Sequence, residues 1–106
     1  MIPDESARGV HFHPAAQREY LEARRWYEQT VDDELADSFL REMDAAIERV
    51  IQFPEAWPIF RDRYRWILLH RFPYQLFYRL EDDGEIHVLA VAHARRRPGY
   101  WLKRDE

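Results

Sequence analysis

The apolar residues of this chain change their spacing near Pro54, and that change constrains the fold more than any other feature of the sequence. Before Pro54 they recur every three to four positions, which is the period of a helix packed on one face. After it they tend to alternate every second position, which is the period of a strand. A chain of 106 residues has room for one domain. The sequence therefore predicts a single α+β domain over residues 1–106.

Two helices are predicted between Pro14 and Pro54. Pro14 fits the first helical position, where its missing N–H has no partner to lose. Asp32 or Asp33 can cap the second helix, and Pro54 ends it. Because the break between the helices is short, we expect an antiparallel helical hairpin. The residues expected to form the buried stripes are Ala16, Tyr20, Ala23 and Tyr27, then Leu35, Ala36, Phe39, Leu40, Met43, Ala46, Ile47, Val50 and Ile51, with Phe53 just beyond.

Four segments are predicted to form strands, and three of them follow one another closely. These three are YRWILLHRF, YQLFYRLE and EIHVLAVAH, and the DDG between the last two is a hairpin turn signal. VHFH, residues 10–13, is expected to join as a fourth strand. The expected fold class is α+β, with a small antiparallel sheet of three to four strands and an N-terminal helical hairpin packed on one face.

The strand pattern also predicts apolar surface on the sheet face that the helices leave open. Phe77 lies opposite the main apolar set of its strand, and simple alternation in the last strand places Leu89 and Val91 together, opposite Ile86 and Val88. Neither face is then purely polar. We expect a partner to cover the apolar groups that the helices cannot reach.

Charge and composition exclude several classes of protein. The net charge is −4, but residues 1–62 carry seven basic against fourteen acidic groups, and residues 63–106 carry nine basic against six acidic. This overall acidity weighs against a protein that coats nucleic acid through bulk charge. The chain has no cysteine, hence no disulfide and no thiolate metal site. Residues 1–9 are predicted to be a flexible leader rather than a signal peptide. No apolar run is long enough to cross a membrane, so we expect a cytoplasmic protein.

The basic charge of the second half is concentrated where the last strand ends. AVAHARRRPGYW, residues 90–101, passes from an apolar strand to three arginines, Pro-Gly and two aromatic residues. Arginine suits bidentate, partly desolvated contacts with carboxylates and phosphates. Residues 95–106 are therefore predicted to form a C-terminal functional tail.

Several of these segments together resemble the RelE/ParE family of bacterial toxins from type II toxin–antitoxin modules. The specific parts are RFPYQLFYR and IHVLAVAHARRRPGYW, which follow a helical hairpin and FPEAWP; the resemblance covers residues 9–104. It implies a compact toxin that a partly disordered cognate antitoxin wraps and neutralises. It also implies one of two activities, because ParE-like members inhibit DNA gyrase and RelE-like members are ribosome-dependent mRNA endonucleases.

The nuclease alternative assigns acid–base and phosphate-binding roles at the end of the last strand. Its catalytic residues would be His93, Arg95, Arg96 and Tyr100. The chain departs from the nuclease pattern at Gln75 and Ala94, where that branch carries basic residues. Net acidity also weakens docking on ribosomal RNA. We therefore favour the ParE-like activity, a binding inhibitor with no catalytic residues; another target, or an inactive toxin, stays open.

Binding residues follow from the same segment. The residues predicted to contact the target or the antitoxin are Arg79, His93, Arg95, Arg96, Arg97, Tyr100 and Trp101. A structural role is the alternative for His93, which ends an apolar strand, and for residues 95–97, which can form a solvated cluster or pair with the acidic helices. We expect no cofactor and no metal, because His11 and His13 have no third ligand near them in sequence.

Overall fold

The structure is a computed structural model that describes residues 9–105. Within these residues seven helices and strands follow one another, and a short 3-10 helix comes after them. They are β1 (Val10–Phe12), α1 (Pro14–Thr30), α2 (Asp33–Gln52), β2 (Ile59–Arg61), β3 (Tyr64–Leu68), β4 (Tyr74–Leu80), β5 (Ile86–His93) and the 3-10 helix Leu102–Asp105. The leader predicted over residues 1–9 lies, apart from Gly9, outside the described residues. Within the described part, neither helix combines the length and apolar composition that a bilayer crossing requires.

The sheet has five strands in the order β1-β5-β4-β3-β2, so the expectation of three to four strands is wrong. The additional strand is β2, which has three residues and an exposed Ile59, too short for alternation to reveal it. VHFH does join the sheet, but β1 pairs parallel to β5, whereas the other pairs are antiparallel. Parallel pairing requires a long connection between the two strands, and the chain between β1 and β5 includes both helices and strands β2 to β4.

Both predicted helices are confirmed, and their caps follow the local sequence. The Nδ1 atom of His13 accepts a hydrogen bond from the N–H of Ala15 at 3.0 Å, with Pro14 at the first helical position. Asp32 caps α2 by accepting from the N–H of Leu35 at 2.8 Å. Phe53 is an exception to the predicted stripe: it is the C-cap of α2, where the backbone leaves the helix, and its side chain is 60% exposed.

One face of the sheet packs on the two helices and forms the helix-side core. Phe39 is central to it, with its ring between those of Tyr20, Tyr27 and Phe72. The sheet contributes Ile67, Leu76, Tyr78, Ile86, Val88 and Val91 to the same buried cluster. The predicted helical stripes therefore lie where the sequence placed them, on one face of the sheet.

A β-bulge in β5 changes which side chains share a face. Phe77 pairs with Ala90 and Tyr78 pairs with Val88, which leaves Leu89 as an extra residue in the strand. Beyond the bulge the alternation is reversed. Val91 accordingly lies in the helix-side core with Val88, and the prediction that it shares a face with Leu89 is wrong.

The opposite face of the sheet is covered by the end of the chain itself. Phe77, Leu89, Ala90, Ala92 and Trp101 form a second buried cluster, the C-terminal core. The apolar surface expected there is consequently closed: Phe77 is 5% exposed and Leu89 is 3% exposed. Intramolecular packing, rather than a partner, covers these two side chains.

Candidate functional site

The three adjacent arginines lie on a short exposed loop, here called the arginine loop (residues 94–98). Residues 94–98 are all exposed, yet their backbone is tied to the end of β5. The N–H of Arg95 donates to Nδ1 of His93 at 3.0 Å, and the N–H of Arg96 donates to the carbonyl oxygen of His93 at 2.9 Å. The N–H of Ala94 continues the strand pairing by donating to the carbonyl of Pro73 at 2.7 Å. The loop therefore presents its charges from a fixed backbone.

Gly99 is required where the arginine loop turns back over the sheet. Its φ of 78° lies in the left-handed region that side chains disfavour. A Cβ added there would also lie 3.0 Å from Cδ1 of Leu102. The chain can then continue into the C-terminal segment (residues 99–105), which packs on the sheet.

A cleft of about 240 Å³ lies between the arginine loop and the sheet. Among the predicted site residues it brings together His93, Arg96, Arg97, Tyr100 and Trp101. The two positions at which the chain departs from the nuclease pattern, Gln75 and Ala94, line it as well. Arg95 lies on the same loop but is not part of the lining.

Tyr100 connects the arginine loop to helix α1. The guanidinium carbon of Arg96 lies 3.8 Å from the centre of the Tyr100 ring, in a cation–π contact. The Tyr100 hydroxyl donates a hydrogen bond of 2.6 Å to Oε2 of Glu19. Burial, followed by this bond to Glu19, raises the pKa of Tyr100 above its ordinary value. The phenol therefore stays protonated, and its O–H donates a hydrogen bond to a carboxylate of the same chain.

Glu19 is also paired with Arg104 from the C-terminal segment. The two guanidinium nitrogens of Arg104 donate to the two oxygens of Glu19 at 2.9 and 2.8 Å, which is the bidentate geometry that arginine favours. Burial alone raises the pKa of Glu19, but hydrogen bonds from Arg104, Tyr100 and the N–H of Val91 outweigh it and lower that pKa below its ordinary value. We call Glu19, Tyr100 and Arg104 the Glu19 cluster.

Trp101 is buried, so the expectation that it belongs to an exposed contact surface is wrong. Its side chain has no exposed area and packs against the rings of Phe77, Tyr64 and Phe60, with centroids 4.9, 5.1 and 5.7 Å away. A large ring beside an apolar sheet face gains more free energy by burial there than by contact with water. Trp101 holds the C-terminal segment on the sheet.

Arg79 is likewise not a free cation beside the arginine loop. It forms an ion pair with Asp105 and a second pair with Glu81 at 3.0 Å, and only 11% of its side chain is exposed. Tyr64 donates to the same Asp105 at 2.7 Å. Burial alone would raise the pKa of Asp105. The hydrogen bonds from Arg79 and Tyr64 lower this pKa by more than burial raises it, so the net shift is downward. Arg79 therefore anchors the C-terminal segment at Asp105, and Arg79 is not one of the residues that line the cleft.

Sequence reasoning missed Glu19, Arg104 and Asp105 as parts of this site. Glu19 lies beside the buried stripe of α1, three residues after Ala16 and four before Ala23, which is the available signal that it faces the protein. Its partner Arg104 is 85 residues away in sequence. Local pattern carries no information about a contact over that distance.

Metal binding has no support in the geometry of the described residues. No group of three or more histidine, aspartate or glutamate side chains in residues 9–105 is placed to hold an ion. His13 uses Nδ1 to cap α1, and Nε2 of His11 lies 2.6 Å from Oε1 of Glu85. The two histidines that are close in sequence thus have separate structural contacts.

Comparison with known proteins gives a consistent result. Residues 10–98 match the family model of the ParE toxin of the type II toxin–antitoxin system parDE. The chain is 32% identical over 92 residues to Toxin ParE2 of two Mycobacterium tuberculosis strains, CDC 1551 / Oshkosh and ATCC 25618 / H37Rv, which covers 86% of each chain.

Two solved structures share the fold. A chain of the chromosomal ParDE TA system from P. aeruginosa superposes with a TM-score of 0.70 at 16% identity, covering 82% of this chain and 96% of that one. The isolated E. coli RelE toxin superposes with a TM-score of 0.57 at 20% identity, covering 94% and 100%. At these identities the likeness concerns the fold alone.

Proposed function

The chain belongs to the ParE toxin family of type II toxin–antitoxin systems, and from that premise we propose that it inhibits growth by binding DNA gyrase through the arginine loop. The activity is stoichiometric binding rather than catalysis. The target contacts are Arg95, Arg96 and Arg97, with His93 and Tyr100 in the cleft beside them. The protein acts in the cytoplasm, where gyrase is found.

The observation that carries this proposal is the exposure of three adjacent arginines on a fixed backbone. All three are exposed, and the neighbouring backbone N–H groups of Arg95 and Arg96 are hydrogen-bonded to His93. A loop that is ordered before binding loses less conformational entropy when it meets a partner. Arginine is also among the residues that dominate interface energetics. These properties suit a binding surface.

The state of Tyr100 weighs against the nuclease alternative. A general acid or base works best with a pKa near the working pH, whereas the pKa of Tyr100 is raised and its hydroxyl donates to Glu19. Gln75 and Ala94 line the cleft where cations would stabilise a reacting phosphate. His93 is then the candidate acid or base that remains among the described residues lining the cleft.

A cognate antitoxin is the second partner in this proposal. Because the arginine loop is positively charged, we expect the antitoxin to place acidic side chains opposite it. Such charge complementarity disfavours binding of other proteins and fixes the register of the antitoxin on the toxin. We expect hydrogen exchange of the complex to be slowed at residues 95–97 relative to the free toxin. Unchanged exchange there would mean that the antitoxin neutralises the toxin from another surface.

Purified components test the target directly. In a reaction with gyrase, ATP and relaxed plasmid only, the protein should block supercoiling in a concentration-dependent way. In parallel, mRNA on programmed ribosomes should stay intact. In cells, the DNA-damage response should rise before protein synthesis falls.

The nuclease alternative makes opposite predictions in the same assays. It expects codon-dependent cleavage of mRNA on ribosomes, slowed about 10²-fold or more by His93→Ala or Tyr100→Phe, as for the loss of an acid or base. Cleavage of that kind without an effect on gyrase would contradict our proposal. Activity in neither assay would contradict it too, and would favour a different target or an inactive toxin.

A further inference from the structure

Four hydrogen bonds from three residues, one in β5 and two in the C-terminal segment, converge on the carboxylate of Glu19. Oε1 accepts from the N–H of Val91 at 3.0 Å and from Arg104 at 2.9 Å. Oε2 accepts from the hydroxyl of Tyr100 at 2.6 Å and from Arg104 at 2.8 Å. Only 13% of the Glu19 side chain is exposed. Hydrogen bonds to an ionised, partly buried group of this kind are stronger than those between neutral groups.

The Glu19 cluster takes the place of a strand along part of β5. β1 ends at Phe12, opposite Val88, so that edge of β5 has no strand beside it from Leu89 onward within residues 9–105. There the carbonyl of Leu89 accepts from Arg104 at 3.0 Å, and the N–H of Val91 donates to Glu19. Backbone groups of a partly buried strand need such partners. The cluster is therefore fixed to the sheet from which the arginine loop emerges.

The same carboxylate holds the hydroxyl end of the Tyr100 ring through a hydrogen bond. A ring fixed at its hydroxyl by Glu19 and at its backbone by the C-terminal segment has little freedom to rotate. Arg96 lies 3.8 Å from the centre of that ring, and Arg104 lies 5.2 Å from it. An exposed arginine otherwise samples many rotamers, at a cost in entropy when it binds.

We propose that Glu19 is a positioning residue for the arginine loop: it holds the Tyr100 ring as the platform on which Arg96 lies, and so sets where that charge meets the target. This role rests on the proposed function, because it assumes that the loop contacts the target. Glu19 itself, mostly buried and fully hydrogen-bonded, makes no contact with the partner.

Glu19→Gln tests the proposal because it keeps the size of the side chain and removes its charge. The first measurement is independent of any target: protons of Arg96, stacked on Tyr100, should have NMR resonances shifted upfield by the ring current. We expect Glu19→Gln to reduce that shift, and Tyr100→Leu to abolish it. Far-ultraviolet circular dichroism and a melting curve verify that each variant is folded.

Two matched controls separate positioning from general weakening. Glu22→Gln makes the same charge change on an exposed position of the same helix. Asp105→Asn weakens the other anchor of the C-terminal segment, at Arg79 and Tyr64, without touching Tyr100 or Arg96. Both controls should keep the ring-current shift of Arg96.

The second measurement is growth inhibition at matched protein levels. Glu19→Gln should require at least about 10-fold more protein for the same inhibition, because the interface anchor Arg96 is no longer held in place, and Glu22→Gln should match the wild type. In an Arg96→Ala background, Glu19→Gln should have no further effect, because the group that it positions is absent.

The outcomes distinguish this proposal from the choice of target. An undiminished Arg96 shift in folded Glu19→Gln overturns it, as does an effect of Glu19→Gln that is equally large with and without Arg96. If wild-type protein leaves gyrase active but these two results are as expected, the proposed target is wrong and the role of Glu19 stands.

Discussion

The two faces of the sheet are covered by very different parts of the chain. The helix-side core is formed by two long helices whose apolar residues recur with the helical period, and it includes Phe39 and Tyr20 with no exposed area. The C-terminal core is instead covered by the seven residues of the C-terminal segment, which are irregular and 3-10 in structure and pack the single ring of Trp101 onto the strands. Ion pairs at Glu19 and Asp105 hold that segment. The first face supplies stability, and the second carries the candidate site.

The largest effect on stability should come from the helix-side core. Phe39→Ala removes a fully buried ring that contacts several others, and should lower the free energy of unfolding by about 3–5 kcal/mol. Urea denaturation measures it. Phe53→Ala is the matched control, because that ring is 60% exposed and its loss should cost about 0.5 kcal/mol or less. Equal losses in the two variants would contradict the assigned core.

Trp101→Ala should have a smaller and more local effect. Loss of this ring should lower the free energy of unfolding by about 3 kcal/mol, which is at the low end for a buried aromatic residue. The effect is small because the C-terminal segment can detach from the sheet while the helices stay folded. Hydrogen exchange should speed up in residues 99–105 while α2 keeps its protection. Trp26→Ala removes a ring that is 54% exposed, and it should leave hydrogen exchange unchanged both in residues 99–105 and in α2. Uniform loss of protection would show that the two faces unfold as one unit.

Acid should weaken the C-terminal face before the helix-side core. The pKa values of Glu19 and Asp105 are lowered below ordinary values of 4.5 and 3.8. Groups with lowered pKa contribute stability in full above those ordinary values, and they lose it as the pH falls through the folded-state values. Hydrogen exchange of residues 99–105 should therefore be constant from pH 7 to 5, once corrected for intrinsic rates, and should speed up below about pH 4. The variant with Glu19→Gln and Asp105→Asn should lack this step.

The contrast between the faces also explains how much the sequence could predict. The helical stripes, Pro14 at the first position of α1, the Asp32 cap of α2 and the hairpin turn that includes Gly84 are local patterns, and the structure has them as expected. The order of segments was enough to predict the helical hairpin on one face. The three-residue strand β2 and the parallel pairing of β1 were not predictable from so few residues.

The C-terminal face depended on contacts that no local pattern reports. A single extra residue, Leu89, reversed the alternation of β5 and moved Val91 to the other face. Trp101 and Arg79 looked like surface residues because their buried partners, Phe77 and Asp105, lie more than twenty residues away. What could be predicted of the site was the exposed charge of residues 95–97 and the presence of His93 and Tyr100 beside it.

Substitutions in the arginine loop should have the smallest effect on the free energy of unfolding and the largest effect on growth inhibition. Replacing Arg95, Arg96 and Arg97 by Ala removes exposed charges, with a cost of about 1 kcal/mol or less, mainly through the contact of Arg96 with Tyr100. A control variant replaces three exposed arginines of the helices, Arg18, Arg25 and Arg41. It removes the same charge and should leave growth inhibition intact.

Growth inhibition by this triple variant, measured beside its urea unfolding curve, tests most directly whether the loop acts apart from the scaffold. Our account predicts a variant that unfolds within about 1 kcal/mol of the wild type and no longer inhibits growth. A folded variant that remains fully toxic would contradict the role of the loop. An unfolded one would show that the three arginines are part of the scaffold.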